Sequence, residues 1–297
     1  MSKLSGMRIL VTNEQLDQRP GADLFVRDLA RALQRRGHFV IAYSSDPRHQ
    51  TRLLERDLVA VATDLDRLPF RPDVIHARHH LDAMSALIAL PDVPAIFDCL
   101  GPGSRTIVPV HPRLHRYIVP SPAIARPIEA EGVPPGMIVA GSDGVDLERF
   151  ARVRPAPAGL ARLAVYDDHL DRRDESVMAI EAAMEAGTID FIGRRFGWSV
   201  DNPEQRLPDY DVVFARERKA IEAMACGCAV VLVGEHACGD LVSTANFQQA
   251  RHDGFAPPLA APAASPDAIR ESLARYSAAD CAAVTAEVRR SLGFDAL

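Results

Sequence analysis

Nowhere does this 297-residue chain offer the roughly 20 consecutive apolar residues that a membrane-spanning helix needs. Its first apolar run, Met7-Arg8-Ile9-Leu10-Val11, is the size of a strand, and nothing around it reads as a secretory signal. A cytosolic protein is expected, with a peripheral membrane contact left open. Positive charge is in short supply too: 34 Lys and Arg stand against 40 Asp and Glu, a net charge of −6. That balance argues against a general nucleic-acid binder, which carries a basic surplus. Cysteine is scarce and irregular, at 99, 226, 228, 238 and 281. Cys226-x-Cys228 has no matching Cys or His pair, so neither a disulfide framework nor a metal site is expected. The thiols read as buried and free, which fits a reducing compartment. Phosphate loops of the Gly-x-x-x-x-Gly-Lys-Ser/Thr type, Gly-x-Ser-x-Gly elbows and a Gly-x-Gly-x-x-Gly after the first strand are all missing. What remains, 47% hydrophobic and 25% charged, is the composition of a globular protein.

The apolar pattern alternates between two periods. Strands are expected at 7–11, 39–43, 58–63, 74–76, 95–97 and 116–120, with helices at 24–36, 81–90 and 122–131. Gly37 closes the first helix, and Ser121 stands at the N-cap position of the third. At 152–159 Pro and Gly cluster without an apolar period, as in a linker. A second alternating series follows, with strands at 163–166, 189–192, 211–214 and 228–233. Its helices are expected at 176–185 and 218–227, and two more follow a Pro/Ala-rich stretch, at 266–276 and 278–291. The expected fold class is α/β: two doubly wound Rossmann-like domains, residues 1–150 and 151–297, with a helical C-terminal tail.

One segment carries more chemistry than the rest. Arg218-Lys219-Ala220-Ile221-Glu222-Ala223-Met224-Ala225-Cys226-Gly227 lies between two continuous apolar runs, which makes a strand–helix–strand unit with parallel strands. Gly227 is the natural helix stop. Arg218 and Glu222, four apart, share a helix face near its N-terminal end. In open α/β sheets that end borders the crevice where ligands bind. A cation beside helix N–H groups suits a phosphate, and a carboxylate suits sugar hydroxyls. Cations at a helix N-terminus oppose its dipole, which adds to the case for a ligand at Arg218 and Lys219. Elsewhere, Pro20-Gly21-Ala22-Asp23 opens a helix with N–H groups free for a ligand, and Asp98 ends a strand at the same rim as His76, His79 and His80. The histidines lack a recognised metal spacing.

Further segments are Gly37-His38-Phe39-Val40, Pro72-Asp73-Val74-Ile75-His76, Val119-Pro120-Ser121 and Asp143-Gly144-Val145-Asp146-Leu147-Glu148-Arg149-Phe150. Together with Pro20-Gly21-Ala22-Asp23 and Glu222-Ala223-Met224-Ala225-x-Gly227, in this order and spacing, they resemble the family-4 retaining glycosyltransferases of the GT-B fold. The resemblance implies two domains facing a cleft, the first holding the acceptor and the second a nucleotide-diphospho-sugar. A hexosyl-type transfer with retention is implied, with no metal and no cofactor beyond the donor as co-substrate. By this resemblance Asp98, Arg218 and Glu222 serve the reaction, and Gly21, Arg218, Lys219 and Glu222 bind the donor, with Arg172 or Arg194 as candidates to stand in for diphosphate-binding residues that the family has and this chain lacks. The acceptor is a carbohydrate, a lipid-linked or another small molecule, and the oligomeric state is left open. Two departures stand out. The family's first Glu, eight positions before Glu222, is Phe214 here. The Gly-Arg-x-x-x-x-Lys-Gly that grips the diphosphate is replaced by Ala164-Val165-Tyr166-Asp167-Asp168-His169-Leu170-Asp171-Arg172-Arg173. The alternative is a non-catalytic GT-B-like binding or scaffold protein.

Overall fold

The structure, a computed structural model, describes residues 6–14, 16, 24–46, 52–99, 107–141, 144–156, 158–184, 189–200, 202–258 and 261–296. It divides into two compact units, Met1–Gly141 and Ser142–Leu297. Among the described residues of the first unit, strands β1 (Arg8–Thr12), β2 (Phe39–Tyr43), β3 (Ala60–Ala62), β4 (Val74–Ala77), β5 (Ala95–Asp98), β6 (Leu114–Val119) and β7 (Ile138–Ala140) form one sheet. The order is β3-β2-β1-β4-β5-β6-β7, and every pairing is parallel. Helices α1 (Phe25–Arg35), α2 (Arg52–Arg56), α3 (His80–Ala89) and α4 (Pro122–Ala130) lie between the strands. Leu10, Ile41, Ile75, Phe97 and Tyr117 meet Ala83, Ala86 and Leu87 of α3 and Ile124 and Ile128 of α4 in one core. Gly37, at φ +85°, ends α1 in the left-handed backbone that glycine tolerates. Ser121 does occupy the N-cap of α4, but its hydroxyl makes no capping bond.

The second unit holds β8 (Leu163–Tyr166), α5 (Glu175–Ala183), β9 (Ile189–Ile192), α6 (Pro203–Arg206), β10 (Val212–Ala215), α7 (Glu217–Ala225), β11 (Ala229–Val233) and β12 (Cys238–Leu241). Helices α8 (Phe247–His252), α9 (Pro266–Ala274) and α10 (Ala278–Ser291) follow. The sheet order is β12-β11-β10-β8-β9, with β12 antiparallel to β11. Side chains along the central strands alternate between two buried layers, as the strand period of two requires. Ala164, Tyr166, Val213, Ala215, Val230 and Leu232 face the layer of α7 and α10. Leu163, Val165, Val212, Phe214 and Val231 face the layer of α5 and α9. The last two helices form the expected helical C-terminal region and pack onto this unit, α9 against α5 and α10 against α7.

The division between the units falls before residue 150 for a visible reason. Val145 exchanges backbone hydrogen bonds with Leu292 and Phe294, and Arg289 donates to the Phe150 carbonyl at 2.8 Å. Val145 and Phe150 are fully buried in the second core. The Pro-rich stretch that follows is also tied down: Arg154 donates its backbone N–H to Cys226 O at 2.9 Å and pairs with Asp211 at 2.5 Å. Gly227, at φ +93°, completes that contact, because a Cβ there would lie 2.2 Å from Arg154 O.

Candidate functional site

In the second unit the chain leaves β8 toward β9 on one side and returns to β10 on the other. The carboxyl ends of β8 and β10 thus flank the point where strand order reverses, the usual ligand crevice of an open parallel sheet. β8 delivers Tyr166, Asp167 and Asp168 to this rim, while β10 and α7 deliver Arg216, Arg218, Lys219 and Glu222. Glu222 is 5% exposed. Its Oε2 accepts the Tyr166 hydroxyl at 2.9 Å, and its Oε1 lies 3.1 Å from Arg218 Nε and 3.6 Å from Arg149 Nη2. Arg149 also reaches Glu204 of α6 at 3.5 Å and stacks over the Phe150 ring. Burying a carboxylate this deeply is costly unless donors and cations surround it, and here Tyr166, Arg218 and Arg149 do so. Burial first, and the Glu222 charge second, push the Tyr166 hydroxyl well above its ordinary pKa, so it remains a donor.

The remaining charges pair across the same point. Lys219 Nζ lies 2.9 Å from Asp168 Oδ2 and 4.0 Å from the centre of the Tyr166 ring. Arg216 Nε lies 3.0 Å from Asp167 Oδ2. Asp167 Oδ1 caps its own turn by accepting the N–H groups of His169 and Leu170. Glu217, the first residue of α7, takes φ +52°, a costly backbone for a residue with a Cβ, and donates its N–H to Phe255 O at 2.7 Å.

The structure gathers Arg218, Lys219 and Glu222 in one place. Arg194 joins them through its backbone N–H, which donates to Asp168 Oδ1 at 3.0 Å. Arg172 lies elsewhere, paired with Glu181 and stacked 4.0 Å over the Phe191 ring. Phe214 is fully buried and faces the α5 and α9 layer, across the sheet from α7. Counting eight residues back from Glu222 therefore lands inside β10 and not on the rim. Tyr166 and Arg149 are absent from the sequence-based candidates. Arg149 does lie within the Asp146–Phe150 segment that carries the resemblance, but its target is set by the fold.

Asp98 belongs to the first unit, where the order reverses between β1 and β4. Thr12 at the end of β1 donates its hydroxyl to Arg78 O at 2.9 Å and accepts Arg78 N–H at 3.0 Å, locking that turn. Asp98 is 7% exposed; its Oδ2 lies 3.1 Å from Arg78 Nε and 3.6 Å from His76 Nε2. Arg78 also stacks 3.9 Å over the Phe25 ring. Burial, with the neighbouring Asp98 charge, pushes the Cys99 thiol up to about 12. His79, at φ +57°, faces Glu14 at 3.4 Å. Among the described residues no three His, Cys, Asp or Glu side chains come together as a metal site. Gly21 and its turn lie outside the described residues. No helix among the described residues is long and apolar enough to cross a membrane.

Comparisons with known proteins place this architecture. Residues 21–149 match the family model described as Glycosyltransferase Family 4. The chain is similar in structure to a glycosyltransferase from Rickettsia africae ESF-5, at 12% identity and a TM-score of 0.64, over 98% of this chain and 95% of that one. It is similar to Anabaena Alr3699/HepE in complex with UDP and glucose, at 14% identity and a TM-score of 0.64, over 97% and 96% of the two chains. A third likeness, to the spinosyn forosaminyltransferase SpnP, has 15% identity and a TM-score of 0.54 over 98% and 96%. No curated protein matches the chain in sequence.

Proposed function

From a chain that has the fold of the GT-B glycosyltransferases and a Glycosyltransferase Family 4 match over residues 21–149, we propose a sugar transferase acting on a nucleotide-diphospho-sugar. The observation that carries this reading is Glu222, buried at the strand-order reversal between Tyr166 and Arg218 with Lys219 beside them. In this reading Arg218 and Lys219 hold the diphosphate, and Glu222 accepts hydroxyls of the donor sugar. Asp168 now occupies Lys219, so a bound diphosphate competes with that carboxylate. Arg218 and Lys219 stabilise charge as the anomeric carbon–oxygen bond to the diphosphate breaks. The acceptor oxygen forms the new bond to that carbon, with retention as the family resemblance implies. The acceptor proton passes to an oxygen of the departing diphosphate, and no metal or further cofactor enters. Asp98, between His76 and Arg78 in the first unit, is assigned to an acceptor hydroxyl. The acceptor is a carbohydrate, a lipid-linked or another small molecule.

UDP is the first probe, because the Anabaena relative is described with UDP. Calorimetric titration with UDP, GDP and UDP-glucose is expected to show binding. Glu222→Ala removes a buried acceptor and should weaken UDP-glucose about tenfold. Arg218→Ala should lower turnover by roughly a hundredfold, the scale of losing one charge-stabilising group. The absence of binding at millimolar concentration, or wild-type behaviour in both variants, would overturn the assignment. A non-catalytic scaffold is the second reading, favoured by Phe214 and by the missing Gly-Arg-x-x-x-x-Lys-Gly. The place of Phe214 on the far face of the sheet weakens the first of these.

A further inference from the structure

We infer that Trp198 is the stacking platform for the nucleobase of the donor, an inference that rests on the donor site proposed above. Trp198 is the single tryptophan of the chain, and 40% of it is exposed. Leaving an indole uncovered forgoes burial that other aromatic residues here achieve. Its position is defined by backbone contacts. Gly193, directly after β9, donates its N–H to Trp198 O at 2.8 Å, and the two form an isolated antiparallel bridge. Gly193 itself lies so close to the end of β8 that a Cβ would stand 1.7 Å from Asp167 O. A glycine is what permits that approach. One residue on, Arg194 N–H donates to Asp168 Oδ1, and Asp168 Oδ2 holds Lys219. Three contacts thus tie the Trp198 loop to the proposed phosphate-binding cations.

The layout fits a nucleoside diphosphate laid across the sheet end. Arg218 and Lys219 follow β10, and Trp198 follows β9, with β8 between them. Two strand spacings amount to about 10 Å, comparable to the reach from the diphosphate of such a ligand to its base. A ligand with its phosphates over α7 therefore carries its base over the β9 loop. Stacking serves any base, because every base has a π-face. Trp198 accordingly contributes affinity for the nucleoside and does not choose between uracil and guanine.

A lone tryptophan makes the test direct, since emission excited at the red edge, where the five tyrosines do not absorb, reports this one residue. Titration of the wild type with UDP should change the Trp198 emission. Inorganic pyrophosphate, which has no base, should bind with little change. In Trp198→Ala the Kd for UDP and for GDP should rise about tenfold, while the Kd for pyrophosphate stays put. Trp198→Phe, which keeps a stacking face, should recover most of the affinity. If calorimetry shows UDP bound equally by wild type and Trp198→Ala, the base lies elsewhere and the donor reading survives. An equal loss of UDP and pyrophosphate would mean that Trp198 only shapes its loop, which overturns the inference as well. Failure of the wild type to bind any nucleotide overturns this inference together with the donor site.

Discussion

Glu222 and Phe214 show how differently a residue reads in sequence and in space. Glu222 was legible because helix geometry is local: Arg218 four residues earlier had to share its face, and the two are 3.1 Å apart. The absence of the glutamate that the resembled glycosyltransferases carry eight positions before Glu222 was equally visible, but its meaning was not. The carboxyl end of β10 runs straight into α7, so position 214 is a strand interior facing α5 and α9. The substitution Phe214→Glu would put an unpaired carboxylate where Phe214 is fully buried. We expect that variant to lose stability by at least about 3 kcal/mol, from the lost aromatic packing and the buried charge. Gain of activity without loss of the thermal transition temperature would refute this placement. Arg149 makes the complementary point. Its neighbours in sequence showed the resemblance, yet only folding brings it to Glu222, 73 positions on by numbering.

At the scale of elements, long apolar runs and their punctuation were the reliable signals. β8, β9 and α10 fall on the expected residues 163–166, 189–192 and 278–291. Both faces of β8 and β10 are buried, so their runs are continuous and hard to misread. Less legible were β7, three residues long with an exposed face, and β12, the polar antiparallel edge Cys238–Leu241. Only Leu241 of these two strands is buried, so their sequences carry little apolar pattern. Entry to the first sheet is also fixed by an ion pair that spacing could not reveal. Asp73 Oδ2 accepts Arg8 N–H at 2.8 Å and Arg8 Nε at 3.1 Å, tying β1 to the segment before β4. The Arg8 hydrogen bonds hold the Asp73 carboxyl at about 2, below its ordinary 3.8. A depressed carboxyl stabilises the fold above its unfolded value and loses that contribution as pH falls from about 4 toward 2. Denaturant midpoints of wild type and Asp73→Asn should therefore differ near neutrality and converge by about pH 2. Curves separated by a constant gap would show that the pair does not titrate in this window.

For the whole molecule, the decisive fact is that each unit closes its own hydrophobic layers. The second has a core on both faces of its sheet, built from residues 145–292, and the first has a separate one. Residues 142–297 expressed alone should therefore unfold in one cooperative transition and bind UDP with near-full-length affinity, as followed by calorimetry. Loss of folding in that fragment would show that the second unit depends on the first. The order of apolar runs, the glycine stops and the spacing of Arg218 and Glu222 by themselves determined an α/β chain with a cation and a carboxylate on one helix face. These depend on contacts within a few residues, which local periodicity encodes. The tertiary structure alone decided the strand order that puts β8 beside β10, the partners of Glu222, the remote place of Arg172 and the inward turn of Phe214. Each of those depends on which distant segments pack together, and that is settled by burial over the whole chain.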